Sequence, residues 1–229
     1  MKSLQNALFY ACLGAAALCL AAAPMMILDA PGEATMGFVQ RIFYYHVPVA
    51  WLTFLSAFVC AAGSAAYLFR ESEKGDAIAA AAAELTVVFG LCVLVTGPLW
   101  GRKAWGVWWV WKDVRLMTSL LLWFIFVAYL FVRRYGGPGS ARLASGLALF
   151  AAADVPIIYT SVFFWRTQHP KATVVRSLQK EMLPAFFLSL FAFTVLYVAL
   201  LLVRLRLEAS RRALDQAHLE AEDAGLFDE

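Results

Sequence analysis

A chain of 229 residues that is 62% hydrophobic, with a mean hydropathy of +0.71, falls outside the soluble globular class, in which about half of the residues are apolar. Its 19 Lys and Arg against 16 Asp and Glu leave a net charge of only +3, and no nucleic-acid partner is expected.

A spanning helix needs about 20 mostly apolar residues, and such runs occur at about 5–28, 47–69, 77–99, 116–132, 143–164 and 184–203. Each must be helical, because backbone in lipid has to satisfy its own hydrogen bonds. The expected fold is therefore all-α and integral to the membrane. One six-helix domain covers residues 1–207, and a polar tail, 208–229, follows. The first run has Lys2 before it and Ala21-Ala22-Ala23 near its end, as a signal peptide would. It is longer than the roughly 7–15 residues of a signal core and is read as a retained helix. Six spans put both termini on one side. That side carries Lys2, Arg70, Lys74, Arg133, Arg134, Arg142, Arg204, Arg206, Arg211 and Arg212. The other carries Arg41, Arg102, Lys103, Lys112, Arg115, Arg166, Lys171, Arg176 and Lys180. The slight excess places the termini in the cytoplasm, and so many cations on the far side point to an anionic ligand or partner there.

After the first span, Asp29-Ala30-Pro31-Gly32 reads as a turn. The aromatic segment from Met36 to His46 then reads as an interfacial stretch leading into the second span, with Pro48 in that helix's first turn. In the third span Glu84 is an ionisable group close enough to the interface to snorkel. Thr96-Gly97-Pro98 is expected to break or kink the helix. In the fifth span Asp154 must face protein or water, beside a kink at Pro156. The loop from Arg166 to Met182 is polar and basic, and the tail from Glu208 to Glu229 has helical composition. Cys12, Cys19, Cys60 and Cys92 all lie in spans without a C-x-x-C pair, which excludes covalent c-type haem attachment by that motif.

Between the third and fourth spans, Trp100 to Arg115 reads W-G-R-K-A-W-G-V-W-W-V-W-K-D-V-R. Trp100, Trp105, Trp108, Trp109 and Trp111 are five of the chain's 8 tryptophans. They are mixed with Arg102, Lys103, Lys112, Arg115 and the lone carboxylate Asp113. The composition fits an aromatic belt at the membrane boundary. It also suits a platform for a large flat ligand with acidic edges; composition alone favours the belt, and the clustering in one loop is what argues for the platform. Of the three histidines, His218 lies in the tail. His46 and His169 sit at the far-side boundary, each beside aromatics and a proline. They read either as ordinary boundary histidines or as the two axial ligands of a haem stacked on the indoles, its propionates paired with the cations.

Three stretches resemble the haem-handling protein C family of bacterial cytochrome c maturation (CcmC, haem exporter protein C). They are Gln40-Arg41-Ile42-Phe43-Tyr44-Tyr45-His46-Val47-Pro48-Val49-Ala50-Trp51, the run from Val95 through Trp111, and Val155 through His169. The middle stretch is similar to the family's tryptophan signature, which usually closes W-x-W-D-x-R-L-T. Here Lys112 stands between Trp111 and Asp113, and Met117 replaces the threonine. The tryptophan signature alone would also admit the related CcsA-type synthases. The resemblance implies six helices in the inner membrane, with cytoplasmic termini and a periplasmic tryptophan loop. It implies transient haem b ligated by His46 and His169, on a platform of Trp100, Trp105, Trp108, Trp109 and Trp111. Asp113, Arg115, Arg102, Lys103 and Lys112 would border the haem. It also implies delivery to a periplasmic haem chaperone (CcmE), beside an ATP-binding cassette pair (CcmA and CcmB) and the small membrane protein CcmD. A binding and delivery protein is expected rather than an enzyme, and G-x-x-x-x-G-K-[ST] is absent from the chain. The other readings are a synthase component and a b-type electron carrier, the latter disfavoured because the spans hold no histidine pairs.

Overall fold

The structure, a computed structural model, describes residues 2–223. Six long helices follow in order: α1 (Lys2–Asp29), α2 (Phe43–Arg70), α3 (Glu73–Trp105), α4 (Val114–Tyr135), α5 (Ser140–Phe164) and α6 (Leu183–Asp223). Short 3-10 turns precede α2 (Phe38–Ile42) and α6 (Ala172–Ser177 and Lys180–Met182). All six long helices contain a segment long and apolar enough to cross a bilayer. The chain is an all-α membrane protein.

Three boundaries differ from the sequence reading. The aromatic segment ending at His46 is not a separate interfacial stretch, because α2 already begins at Phe43. Ile42 before it has helical dihedrals, so the 3-10 turn feeds directly into the helix. Pro48 accordingly lies in the second turn of α2. The helix does not break at Pro98, and α3 continues to Trp105, since an internal proline removes one ladder bond and leaves those on either side. At 41 residues α6 is about 60 Å long, twice the roughly 30 Å hydrocarbon core, so it extends well beyond the membrane. The acidic end of the tail, 224–229, lies outside the described residues.

Small residues let the central helices close up. A Cβ on Gly63 would stand 2.5 Å from the Gly75 carbonyl oxygen and 2.9 Å from the Ala79 nitrogen. Glycine is therefore required where α2 and α3 cross. Ala57, Ala79, Ala82, Ala83, Ala144, Ala148 and Ala151 continue this close packing into a core shared by α2, α3, α4 and α5. The α2 helix packs on α3, α5 and α6, while α1 packs on α6. Arg41 caps the end of α1, donating to the carbonyls of Ile27 (3.0 Å) and Leu28 (2.8 Å). On the side of the termini, Asp76 and Arg133 form a two-pronged ion pair at 2.5 and 2.8 Å. Glu84, a suspect by its place in a span, pairs with Arg204 of α6. Asp154 is buried, and its Oδ2 has no partner among the described residues.

Pro48 has a consequence for how α2 meets α6. Its missing N–H frees the Tyr44 carbonyl, and that oxygen accepts the Ser189 hydroxyl from α6 instead. Ser189→Ala should then leave a buried carbonyl unpaired, at a cost of about 1–3 kcal/mol. Adding Pro48→Ala should recover part of the loss by restoring the helical donor, and equilibrium unfolding of the two variants in detergent would measure it. A double variant no more stable than Ser189→Ala would contradict this account.

Candidate functional site

At the end of the bundle away from the termini, α2, α3, α4 and α5 surround a cavity of about 390 Å³, within the range of small-molecule sites. From α2 come His46, Ala50, Trp51, Thr53 and Phe54, and from α3 come Gly90, Val93, Leu94, Gly97, Trp100 and Trp105. Arg115, Ser119, Leu122 and Trp123 of α4 and Tyr159 of α5 complete the helical wall. Trp108 and Trp109 line it from the loop after α3, and His169, Pro170 and Lys171 from the loop after α5. Eight residues along α2, from His46 to Phe54, correspond to about 12 Å of depth. The cavity therefore runs from the boundary into the apolar layer.

Of the residues singled out in the sequence, His46, His169, Trp100, Trp105, Trp108, Trp109 and Arg115 share this cavity. His46 is the fourth residue of α2 rather than part of a loop, so a regular helix fixes its direction. His169 rests on irregular chain. Burial, then the Arg115 guanidinium, draws the His169 pKa down to about 4, so its ring is neutral at physiological pH. Trp100 and Trp105 occupy the last turns of α3 and meet edge to face at 5.8 Å. The Trp100 indole donates to Gln40 Oε1 at 3.2 Å. A Cβ on Gly101 would stand 2.9 Å from the Trp105 ring, so glycine is what seats that indole. Gly106, at φ +77°, then ends α3 and starts the loop.

The remaining predicted residues lie elsewhere. Trp111 packs edge-on against Trp109 at 6.2 Å, but it is 71% exposed and does not line the cavity. Arg102 donates to the Gly106 carbonyl and, like Lys103, does not line the cavity. Lys112 borders a separate shallow cleft with Val110, Asp113, Arg166, Thr167 and Gln168. Asp113, only 2% exposed, is fully occupied by the protein. Its Oδ1 caps α4, accepting the backbone N–H of Arg115 (3.0 Å) and Leu116 (3.2 Å). Its Oδ2 accepts the Thr167 hydroxyl (2.6 Å) and the Gln168 N–H (2.9 Å). Thr167 Oγ1 in turn accepts the His169 N–H at 3.1 Å. Asp113 has extended dihedrals as the N-cap of α4, and Lys112 falls in the turn before it.

Sequence reading missed Trp51, Trp123, Tyr159 and Gln40, and it counted Lys171 only as a cation. An aromatic inside a span reads the same whether it faces lipid or a cavity. A local signal for Trp123 was Gly90, where a Cβ would stand 2.9 Å from the indole. Its Nε1 donates to the Val87 carbonyl at 3.0 Å across the α3–α4 contact.

The site fits an extended, mostly apolar ligand with anionic groups. Indoles supply flat faces, Arg115 and Lys171 supply charge, and two neutral-capable imidazoles enter one space. The buried Trp109 Nε1 has no acceptor among the described residues.

The sequence profile of the family described as CcmC, heme exporter protein C, matches residues 1–220. The chain is 36% identical over 189 residues to heme exporter protein C of Bradyrhizobium diazoefficiens, covering 80% of this chain and 72% of that one. It is 35% identical over 185 residues to heme exporter protein C of Escherichia coli K12, covering 77% and 73%. With the protein of the same description from Haemophilus influenzae it shares 34% over 189 residues, covering 78% and 75%.

The Asp113 fastening can be tested without any ligand. Asp113→Ala should remove the α4 cap, at about 1 kcal/mol. It should also raise amide hydrogen exchange at Gln168 and His169 roughly tenfold or more, while exchange in the cores of α2 and α3 stays as in the parent. Unchanged exchange at Gln168 would show that the loop is held by other contacts.

Proposed function

We propose a role for this chain from the premise that it belongs to the heme exporter protein C family, whose work is haem handling in cytochrome c maturation. The chain binds haem b transiently in the cavity beneath the tryptophan loop and hands it to a periplasmic haem chaperone of the CcmE type. The observation that carries this reading is that His46 and His169, from opposite halves of the chain, line one cavity walled by Trp100, Trp105, Trp108 and Trp109. Bound haem supplies an iron with two axial positions, a flat apolar ring and two carboxylates.

The chain's own residues divide the work by chemistry. Neutral imidazoles of His46 and His169 offer lone pairs to the metal, which a protonated ring could not do. The indoles cover the ring and exclude water. Arg115, held in place by donating to the Ile158 carbonyl at 3.0 Å, has further N–H groups for a carboxylate, and Lys171 adds a second cation. Asp113 positions rather than contacts, since its four acceptor sites are already used. Release follows from displacement of the His169 loop by a partner, a smaller movement than shifting α2 with His46. The termini lie in the cytoplasm and the cavity at the periplasmic face of the inner membrane. An ATP-binding cassette pair (CcmA, CcmB) and CcmD assemble around the chain, which itself binds and delivers rather than catalyses.

Absorption spectra of the purified protein test the reading. The parent should show the Soret and visible bands of a six-coordinate haem. His46→Ala and His169→Ala should each weaken retention by about tenfold or more. Arg115→Gln should also cost roughly tenfold or more, since a hydrogen bond to a charged group is worth about 1.5–3 kcal/mol. Lys112→Ala should stay within about twofold, being an exposed surface cation. A preparation that stays colourless when haem is added would overturn the assignment.

A further inference from the structure

We infer that Thr96 is a positioning residue for this site, holding the His46 ring as its Nδ1–H tautomer so that Nε2 is bare. The inference rests on the reading above, in which His46 binds the iron. Thr96 Oγ1 lies 2.8 Å from His46 Nδ1 and 2.6 Å from the Cys92 carbonyl oxygen, one turn back on α3. A hydroxyl has one hydrogen to give. Two oxygens 2.6 Å apart need that hydrogen between them, because otherwise their lone pairs face one another. The carbonyl can only accept, so Thr96 donates to Cys92 and presents a lone pair to the ring. Nδ1 must then be the donor, and the lone pair that can reach a metal is on Nε2. Gly97 closes the arrangement: a Cβ there would stand 3.4 Å from His46 Cε1, so the ring edge rests on the α3 backbone.

The opposite orientation, with Thr96 donating to Nδ1, would put the ring hydrogen on Nε2 and block ligation. Thr96 thus converts a ring with two interchangeable nitrogens into one with a fixed ligating atom. His169 reaches the same state by another route. Its Nδ1 lies 2.8 Å from the carbonyl of Pro170, an acceptor that no side-chain substitution removes. Thr96 is the partner that mutation can address.

The test uses azoles in place of the missing ring. His46→Gly protein is mixed with haem and titrated with imidazole or 1-methylimidazole, following the return of the six-coordinate Soret band. Imidazole retains an N–H that can donate to Thr96, and 1-methylimidazole does not. Imidazole should therefore act at about tenfold lower concentration, the typical effect of losing the hydrogen-bond partner of a metal ligand. In the double variant His46→Gly with Thr96→Val, the two azoles should come within about twofold of each other, since valine keeps the shape and loses the acceptor. A merely structural defect would weaken both azoles alike and leave their ratio unmoved. A ratio that is the same after Thr96→Val as with the threonine in place overturns the inference. In the otherwise unaltered chain, Thr96→Val should lose haem about tenfold more readily than Thr96→Ser, which keeps the hydroxyl. Thr96→Val holding haem as tightly as the parent also overturns it, including where neither azole rescues His46→Gly. Should His46→Gly show the six-coordinate spectrum with no azole added, the ligation reading itself falls, a result separable from any failure at Thr96.

Discussion

The carboxylate of Asp113 is the point on which the geometry of the cavity depends. It is buried, and it accepts four hydrogen bonds, two from the start of α4 and two from the loop that carries His169. A carboxylate at a helix N-terminus is favoured by the unpaired N–H groups and by the helix dipole. Here that favourable placement has a second effect, because the oxygen not used for capping holds the irregular segment that contributes an imidazole. The same cap sets where Arg115 leaves α4, two residues on, so one group orients both a cation and a histidine toward the cavity.

The opposite wall is built by a different constraint. Toward the termini α2 and α3 approach closely through Gly63, Gly75 and a series of alanines, and at the cavity end His46 rests against Gly97 and Thr96 of α3. Close crossing by small residues suits lipid, where packing and interhelical hydrogen bonds do what the hydrophobic effect does in water. Pro48 leaves the Tyr44 carbonyl free to accept the Ser189 hydroxyl, tying the first turn of α2 to α6. Further along, the α2, α3, α4 and α5 core is filled by Phe126, Tyr129 and Leu122. Toward the other end Gly90 and Gly97 leave room, and the space they free is taken up by Trp123, His46 and the cavity itself.

Much of this is legible in the sequence, and the failures have physical causes. The six spans follow from hydropathy alone, since lipid tolerates no other open-backbone solution. Their ends are harder. Helix can persist through Pro98, and the aromatic run before His46 lacks any cap residue that marks the true start at Phe43. Both histidines stand out as ionisable rings at a boundary, and both line the cavity. Trp51, Trp123 and Tyr159 do not stand out, because a span's aromatic residues carry no mark of which way they face. Lys112, Arg102 and Lys103 group with Arg115 only by proximity in sequence. Arg102 and Lys103 leave the last turn of α3 away from the cavity, Lys112 sits in the turn before α4, and of these four only Arg115, placed by the first turn of α4, lines the cavity.

The two imidazoles are therefore held by unequal means. His46 is carried by a 28-residue helix with packed neighbours, so displacing it requires movement of a large part of the bundle. His169 depends on two hydrogen bonds to Asp113 and one to Thr167, each worth about 0.5–3 kcal/mol depending on charge. That sum is comparable to what a modest protein contact supplies, whereas rearranging α2 would disrupt the apolar core. In the function proposed above, one imidazole on rigid helix and one on a fastened loop would let the cavity keep its cargo oriented while a partner loosens the other side.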